Sequence, residues 1–215
     1  MSGSNLLRPG LLSGVGVIVA RGPGDGTVPV RSAVQHDGQL DPARFGSAVG
    51  AICAQLGARV GSLPGDGADE ATTRQRAERL LGDGAVDVLV CDGQALYAAG
   101  PQPGASAVRH CADACWNALR AVATAAWIEQ DRGGRVVLVA PAPDETPWAE
   151  AVRAALENVA RTLSIEWARH SITLMAIAPG EHTDAHEVGE LIALLSSPAG
   201  AYFSGGQLDL RGLRV

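Results

Sequence analysis

A strand, a long helix and a second strand follow one another in residues 134–180, and this stretch most constrains the fold. Val136 to Ala140 and Ile172 to Ile177 are near-continuous apolar runs, as expected of parallel strands that are covered on both faces. Between them, apolar residues recur every three or four positions, which predicts an amphipathic helix from Trp148 to Ala168. The short connections indicate a parallel pair joined by a right-handed crossover.

The remainder of the chain repeats this alternation of strands and helices. Further strands are predicted at Val15–Ala20 and Val86–Val90. The further helices are predicted at 42–56, 70–81, 105–130 and 187–195. Alternating strands and helices favour an α/β fold with a Rossmann-like, doubly wound parallel sheet and helices on both faces.

Composition limits the possible classes of protein. The 215 residues are expected to form a single domain, 1–215, because the hydrophobic content of 47% and charged content of 19% suit one globular core. The net charge of −6 argues against a nucleic-acid partner. The apolar runs are too short for a membrane span, and no signal peptide is evident, so a cytoplasmic location is the default expectation.

Four motifs in the second half carry a family resemblance. They are GRVVLVAPAP at 134–143, RAAL at 153–156, APG at 178–180 and SSPAGAYFSGGQLDL at 196–210. In order and spacing they resemble the C-terminal half of a short-chain dehydrogenase/reductase. The resemblance implies a nicotinamide cofactor and a Ser-Tyr-Lys set, in which the Tyr exchanges the proton, the Lys lowers its pKa and the Ser polarises the carbonyl.

The three catalytic positions of that family carry other residues here. The RAAL segment puts Arg153 at the Lys position and Ala149 at the Tyr position, and the Ser position falls on Pro141 or Ala140. The chain contains no lysine, since all 17 basic residues are arginines. Without a phenol at position 149, a cation at position 153 has no pKa to tune. No catalytic residue is therefore expected.

The glycine loop that would bind the cofactor is also altered. Gly22, Gly24 and Gly26 form a remnant of the loop, but Asp25 adds a negative charge, and the final GxG of the family pattern falls on residues 44–46. An insertion thus splits the phosphate loop, whose glycines and helix N-terminus normally form one cradle. The chain itself is expected to bind no nicotinamide cofactor.

Two segments of the family are too short in this chain. Between Val60 and Val86 only one helix fits, where the family has a helix, a strand and another helix. After Gly180 the chain runs directly into the helix at 187–195, where the family inserts a mobile lid over the substrate. The sheet is therefore expected to lack an edge strand, and the cleft its lid.

Aromatic residues mark the surfaces through which the resembling proteins associate. The candidate interface residues are Trp116, Trp127, Trp148, Trp167, Tyr202 and Phe203. Helices 105–130 and 148–168 pair with their copies in a neighbouring subunit of such proteins, and the C-terminal segment builds a second interface. Large rings contribute much of the energy at interfaces. The alternative is that the four tryptophans are core residues.

Two short segments each contain a pair of potential metal ligands. Cys111 and Cys115 lie one helical turn apart, and His182 and His186 lie in an acidic loop. Without paired ligand motifs, the cysteines are better explained as core residues and the histidines as solvated side chains. No metal site is expected.

These observations predict a catalytically inactive subunit of the short-chain dehydrogenase type. It would pair with an active NAD(P)-dependent relative in a heterodimer or heterotetramer, and the partner would hold the NAD(P)(H). Breakdown of hydroxyacyl-CoA, aromatic or steroid compounds is the pathway class suggested by analogy. One alternative is an independent oxidoreductase that uses Asp144 or Glu145 as acid or base. The other is a small-molecule-binding protein.

Overall fold

The structure is a computed structural model that describes residues 7–22, 44–66, 69–82, 84–101, 104–144 and 146–212. Within these ranges, strands and helices alternate along the chain. The strands are β1 (Gly16–Arg21), β2 (Arg59–Pro64), β3 (Val88–Asp92), β4 (Gly134–Val139), β5 (Ile172–Ala178) and β6 (Gly206–Asp209). The helices are α1 (Arg44–Gln55), α2 (Glu70–Leu81), α3 (Gly93–Ala98), α4 (Ala105–Val122), α5 (Pro147–Glu166) and α6 (Ala185–Ser196).

The strands form one parallel sheet in the order β2-β1-β3-β4-β5-β6. The chain moves from β1 outward to β2 and then returns to build the other half of the sheet from β3 to β6. The direction therefore reverses between β1 and β3, which is where doubly wound folds form their cleft. The predicted fold class is confirmed.

Alternate residues of each strand face opposite helical layers. On one face, Ile18, Leu89 and Leu174 belong to a core that also includes residues of α2, α4 and α5. On the other face, Val17 and Val90 join a core that includes residues of α1 and α6. Both faces of the central strands are thus covered, which explains their continuous apolar runs.

Trp127 lies in the core, and its predicted interface role is wrong. Residues 123–128 continue α4 as a π-helical segment, and the Trp127 side chain is fully buried. Its indole Nε1 donates a hydrogen bond to the Val86 carbonyl over 2.8 Å. The ring packs directly on Gly134, where a Cβ would collide with it. A partner subunit cannot contact this ring.

The predicted shortening of the fold is visible at two places. Among the described residues, β2 is the last strand on its side of the sheet. Helix α6 begins at Ala185, soon after β5 ends at Ala178. Tyr97 lies on α3, where it packs partly buried against the core. No helix within the described residues is both long and apolar enough to cross a membrane.

Candidate functional site

The carboxyl ends of the central strands meet at one edge of the sheet. This edge carries Arg21 at the end of β1 and Asp92 at the end of β3. Pro141 and Pro179 follow the ends of β4 and β5. In open α/β sheets, ligands bind outside this edge, so we take it as the candidate functional site.

The Arg153 guanidinium joins the ends of two strands. Its side chain projects from α5 and is only 3% exposed. The Nη1 atom donates to the Pro141 carbonyl over 2.5 Å and to the Pro179 carbonyl over 2.9 Å. Its Nε lies 3.2 Å from Glu150 Oε1. Arg153 therefore ties β4 to β5 across the place where the resemblance puts a catalytic lysine.

The other two positions of the predicted set lie beside Arg153 but carry no reactive group. Ala149 and Ala140 are fully buried, and Pro141 offers the site its carbonyl. Burial lowers the pKa of Arg153, but a guanidinium remains charged at any ordinary pH. Of these positions, Arg153 is the one that joins the two strand ends by hydrogen bonds.

A short charge network continues from Arg153 to the end of β6. Glu150 Oε2 lies 3.7 Å from Arg211 Nη1, and Arg211 Nη2 lies 2.7 Å from Asp209 Oδ2. Hydrogen bonds from Arg211 hold the pKa of Asp209 at about 2. The network attaches the end of β6 to the first turns of α5. Sequence reasoning missed it, because ion pairs between distant segments leave no local pattern.

Asp92 occupies the other half of the edge and is completely buried. Its Oδ2 accepts a hydrogen bond from the Gly46 N–H over 2.6 Å, and its Oδ1 accepts one from the Ala95 N–H over 3.1 Å. Gly46 lies in the first turn of α1, and Ala95 in the first turn of α3. One carboxylate thus binds the N-terminal turns of two helices.

Arg21 supplies the nearby positive charge. Its guanidinium donates to Ser62 Oγ over 3.0 Å from Nε and to Ser47 Oγ over 3.4 Å from Nη1. Its charge favours ionised Asp92, as do the backbone hydrogen bonds, but burial outweighs them. Burial raises the pKa of the Asp92 carboxyl from 3.8 to about 6.

The raised pKa of Asp92 predicts that the stability of the protein depends on pH through this one carboxyl group. Because the folded protein binds the Asp92 proton more tightly than the unfolded chain does, this contribution is fully present below about pH 4 and is lost as the pH rises through about 6. Moving from about pH 8 to about pH 5 should stabilise the native protein by about 1 kcal/mol relative to Asp92→Asn. Urea unfolding of both proteins at each pH measures the difference. Parallel pH profiles would contradict the prediction.

The described residues do not fit the phosphates of a dinucleotide. In doubly wound folds, the pyrophosphate lies at the N-terminus of the helix that follows β1. Here the Asp92 carboxylate lies against the first turn of α1, and a phosphate would meet its charge. Gly22 packs close to α3, since a Cβ there would lie 2.9 Å from the Ala95 carbonyl oxygen. Gly24 and Gly26 lie outside the described residues.

Comparison with known proteins supports the fold through structure alone. No protein-family model matches the sequence, and no curated protein is similar enough to match it. Solved structures do match. A 3-ketoacyl-(acyl-carrier-protein) reductase from Brucella melitensis, complexed with NADH, has a TM-score of 0.70 at 18% identity, over 94% of this chain and 98% of its own. A citronellol catabolism dehydrogenase from Pseudomonas aeruginosa PAO1 has a TM-score of 0.69 at 19% identity, over 95% and 96%.

A short chain dehydrogenase from Mycobacterium smegmatis also has a TM-score of 0.69, at 17% identity, over 96% of this chain and 95% of its own. This chain has the short-chain dehydrogenase fold. The likeness extends over nearly the whole of each chain. At these identities the likeness shows the fold and leaves the activity open.

The remaining candidate ligands of this short-chain dehydrogenase fold lie apart. Cys111 and Cys115 are buried, and a hydrogen bond from Cys115 together with burial raises the pKa of the Cys111 thiol well above its ordinary value. Protonated thiols bind metals poorly. His186 is exposed on α6, 3.7 Å from Glu190. Within the described ranges, no group of three potential ligands could hold a metal ion.

Asp144, one carboxylate of the alternative enzyme hypothesis, is engaged in its own loop. Asp144 is exposed, and its Oδ1 accepts hydrogen bonds from the backbone N–H and the hydroxyl of Thr146. It therefore stabilises the turn that leads into α5. Glu145 lies outside the described residues.

Most of the predicted interface aromatics lie at the surface of this fold. Trp116 on α4 is 41% exposed and Trp148 on α5 is 38% exposed. Tyr202 and Phe203, just before β6, are 91% and 43% exposed. Trp167 differs, because it packs partly buried against the core at the end of α5. These residues stay candidates for an interface.

Sequence reasoning missed one surface residue of this kind. Ile165 on α5 is 79% exposed, and it lies off the apolar stripe that packs α5 on the sheet. The signal in the sequence was an isoleucine at a position that the helical period places toward solvent. Ile165 is therefore a further candidate interface residue on α5.

Proposed function

We propose that this chain is a non-catalytic subunit that assembles with an active, NAD(P)-dependent short-chain dehydrogenase. The supporting observation is the Arg153 guanidinium, which hydrogen-bonds the Pro141 and Pro179 carbonyls where such enzymes need a lysine beside a phenol. At this site the chain has a hydrogen-bonded arginine that links two strand ends, where the enzymes have a proton-transferring tyrosine and lysine. Its contribution to a complex would be structural or regulatory.

In this proposal, the nicotinamide cofactor belongs to the partner and none is bound by this chain. The buried Asp92 carboxylate at the α1 N-terminus supports that assignment, because its negative charge would repel the phosphates of the cofactor. The complex would be a heterodimer or heterotetramer. Two of the similar structures are named as a citronellol catabolism dehydrogenase and a 3-ketoacyl-(acyl-carrier-protein) reductase. A role in oxidising or reducing a carrier-linked or hydrophobic substrate is consistent with them, as is hydroxyacyl-CoA, aromatic or steroid breakdown.

Calorimetry combined with native mass spectrometry tests the proposal. The purified chain is titrated with NADH and with NADPH, first alone and then mixed with candidate partner dehydrogenases. We expect no binding to the lone chain, and a complex of defined stoichiometry that binds cofactor and turns over substrate. Stoichiometric binding of cofactor to the lone chain, or a homotetramer that takes up no partner, would contradict the proposal.

A substitution on the exposed surface of α5 tests whether the partner binds there. Ile165→Asp should weaken the complex at least tenfold, roughly the effect of losing one important interface residue. Since Ile165 is 79% exposed, the melting temperature of the lone chain should not change. Ala54→Asp is the matched control, because Ala54 is exposed on α1, on the opposite side of the sheet. Equal affinities of both variants, measured by calorimetry, would place the interface elsewhere.

A further inference from the structure

The first turn of α1 lies against a fully buried carboxylate, that of Asp92. Helix N-termini carry free N–H groups and a positive partial charge, and both favour a bound anion. In α1, one of these N–H groups belongs to Gly46, and its partner is the Asp92 carboxylate at 2.6 Å.

The approach of the carboxylate depends on the glycine. A Cβ on Gly46 would lie 2.8 Å from Asp92 Oδ2 and 3.3 Å from Val19 Cγ1. Real side chains do not tolerate the first of these distances next to an atom held on both sides, and Asp92 is held by its second bond to the Ala95 N–H. Gly46 and Asp92 therefore form a close contact that only glycine permits, between two segments 46 residues apart in sequence.

The surroundings of this contact are those of an anion site. Asp92 is fully buried, so water does not screen the charge of its carboxylate. Arg21 stands at the end of the adjacent strand and attracts the carboxylate. The first turns of α1 and α3 both point N–H groups at it. A buried carboxylate survives only with such partners.

We propose that Asp92 is the resident anion of this chain: its carboxylate fills the position at the N-terminus of α1 where doubly wound folds hold a phosphate. The position is then occupied by charge and by volume, and a phosphate-bearing ligand is excluded. The inference concerns the lone chain. A failure to find any partner would contradict the proposed function and leave this inference standing.

Chemical rescue tests the proposal. Asp92→Ala removes the carboxylate and leaves room for a small anion beside the Gly46 N–H. We expect the variant to melt below the native protein, and formate or inorganic phosphate to raise its melting temperature saturably, by about 5 °C. Chloride at matched ionic strength should not. Asp92→Ser keeps one acceptor for the Ala95 N–H and should show the same dependence with a smaller amplitude, which covers the case that Asp92→Ala does not fold.

The matched control is Asp69→Ala. Asp69 also accepts a helix N–H bond, from Thr72 over 2.8 Å, but it caps α2 at the surface. Its variant should lose stability without gaining any selective response to formate or phosphate, because water already reaches that N-terminus. Equal responses of the native protein, the Asp69 variant and both Asp92 variants would overturn the proposal. So would the absence of any rescue in both Asp92 variants.

Discussion

Replacing Arg153 with methionine should lower the free energy of unfolding by about 3 kcal/mol, because the carbonyls of two buried prolines lose their donor. Methionine keeps most of the side-chain volume, so little of the loss comes from a cavity. The Pro141 and Pro179 carbonyls accept from the same Nη1 atom, and both residues are buried. Urea unfolding followed by circular dichroism measures the loss.

Two further variants show whether the geometry or the charge of Arg153 matters. Arg153→Lys keeps one positive charge and its donors, and it should lose about half as much stability as the methionine variant, because its ammonium lacks the guanidinium fork. Arg161→Met is the control on the same helix, since Arg161 is exposed and pairs with Glu157 at the surface. It should change stability by less than about 0.5 kcal/mol. If Arg153→Met lost no more stability than this control, the hydrogen bonds of Arg153 would not hold β4 and β5 together.

Trp127→Ala should be the most damaging single change, costing about 4 kcal/mol of stability, as large-to-small substitutions of buried aromatic residues do. The ring is fully buried against Gly134. Its loss would leave a cavity between α4 and β4. The Val86 carbonyl would also lose the indole donor.

Trp116 provides the matched comparison on the same helix. Its ring is 41% exposed and lies 5.9 Å from the Arg120 guanidinium, so Trp116→Ala should cost less than about 1 kcal/mol. Trp116→Ala should instead weaken the affinity of the chain for its partner. Equal melting temperatures of the Trp116 and Trp127 variants, measured by calorimetry, would show that Trp127 does not support the core as described.

Part of the candidate site could be predicted from sequence. The register of the RAAL segment put Arg153 and Ala149 on one helix, and the APG motif put Pro179 at the end of a strand. Parallel strands bring such ends together, so their meeting at one edge followed from the fold class. The hydrogen bonds between Arg153 and the two proline carbonyls did not follow, because they depend on the height of α5 above the sheet.

The sequence by itself determined the architecture. Buried strands and amphipathic helices have different periods of apolar residues, and each period can be read within one segment. Where a long helix has apolar residues on two flanks, the period does not say which flank meets the sheet. Trp116 and Trp127 were therefore indistinguishable, and only the tertiary structure placed the first at the surface and the second in the core.

The tertiary structure alone decided the chemistry of the cleft. Asp92 stands at the end of β3, and in the sequence Gly46 fell at the last glycine of the split phosphate loop. Their contact joins two segments that are remote in sequence, and it exists because α1 packs against β1 and β3. Burial then shifts the pKa of the carboxyl to about 6, which no local pattern encodes, because desolvation depends on every atom packed around the group.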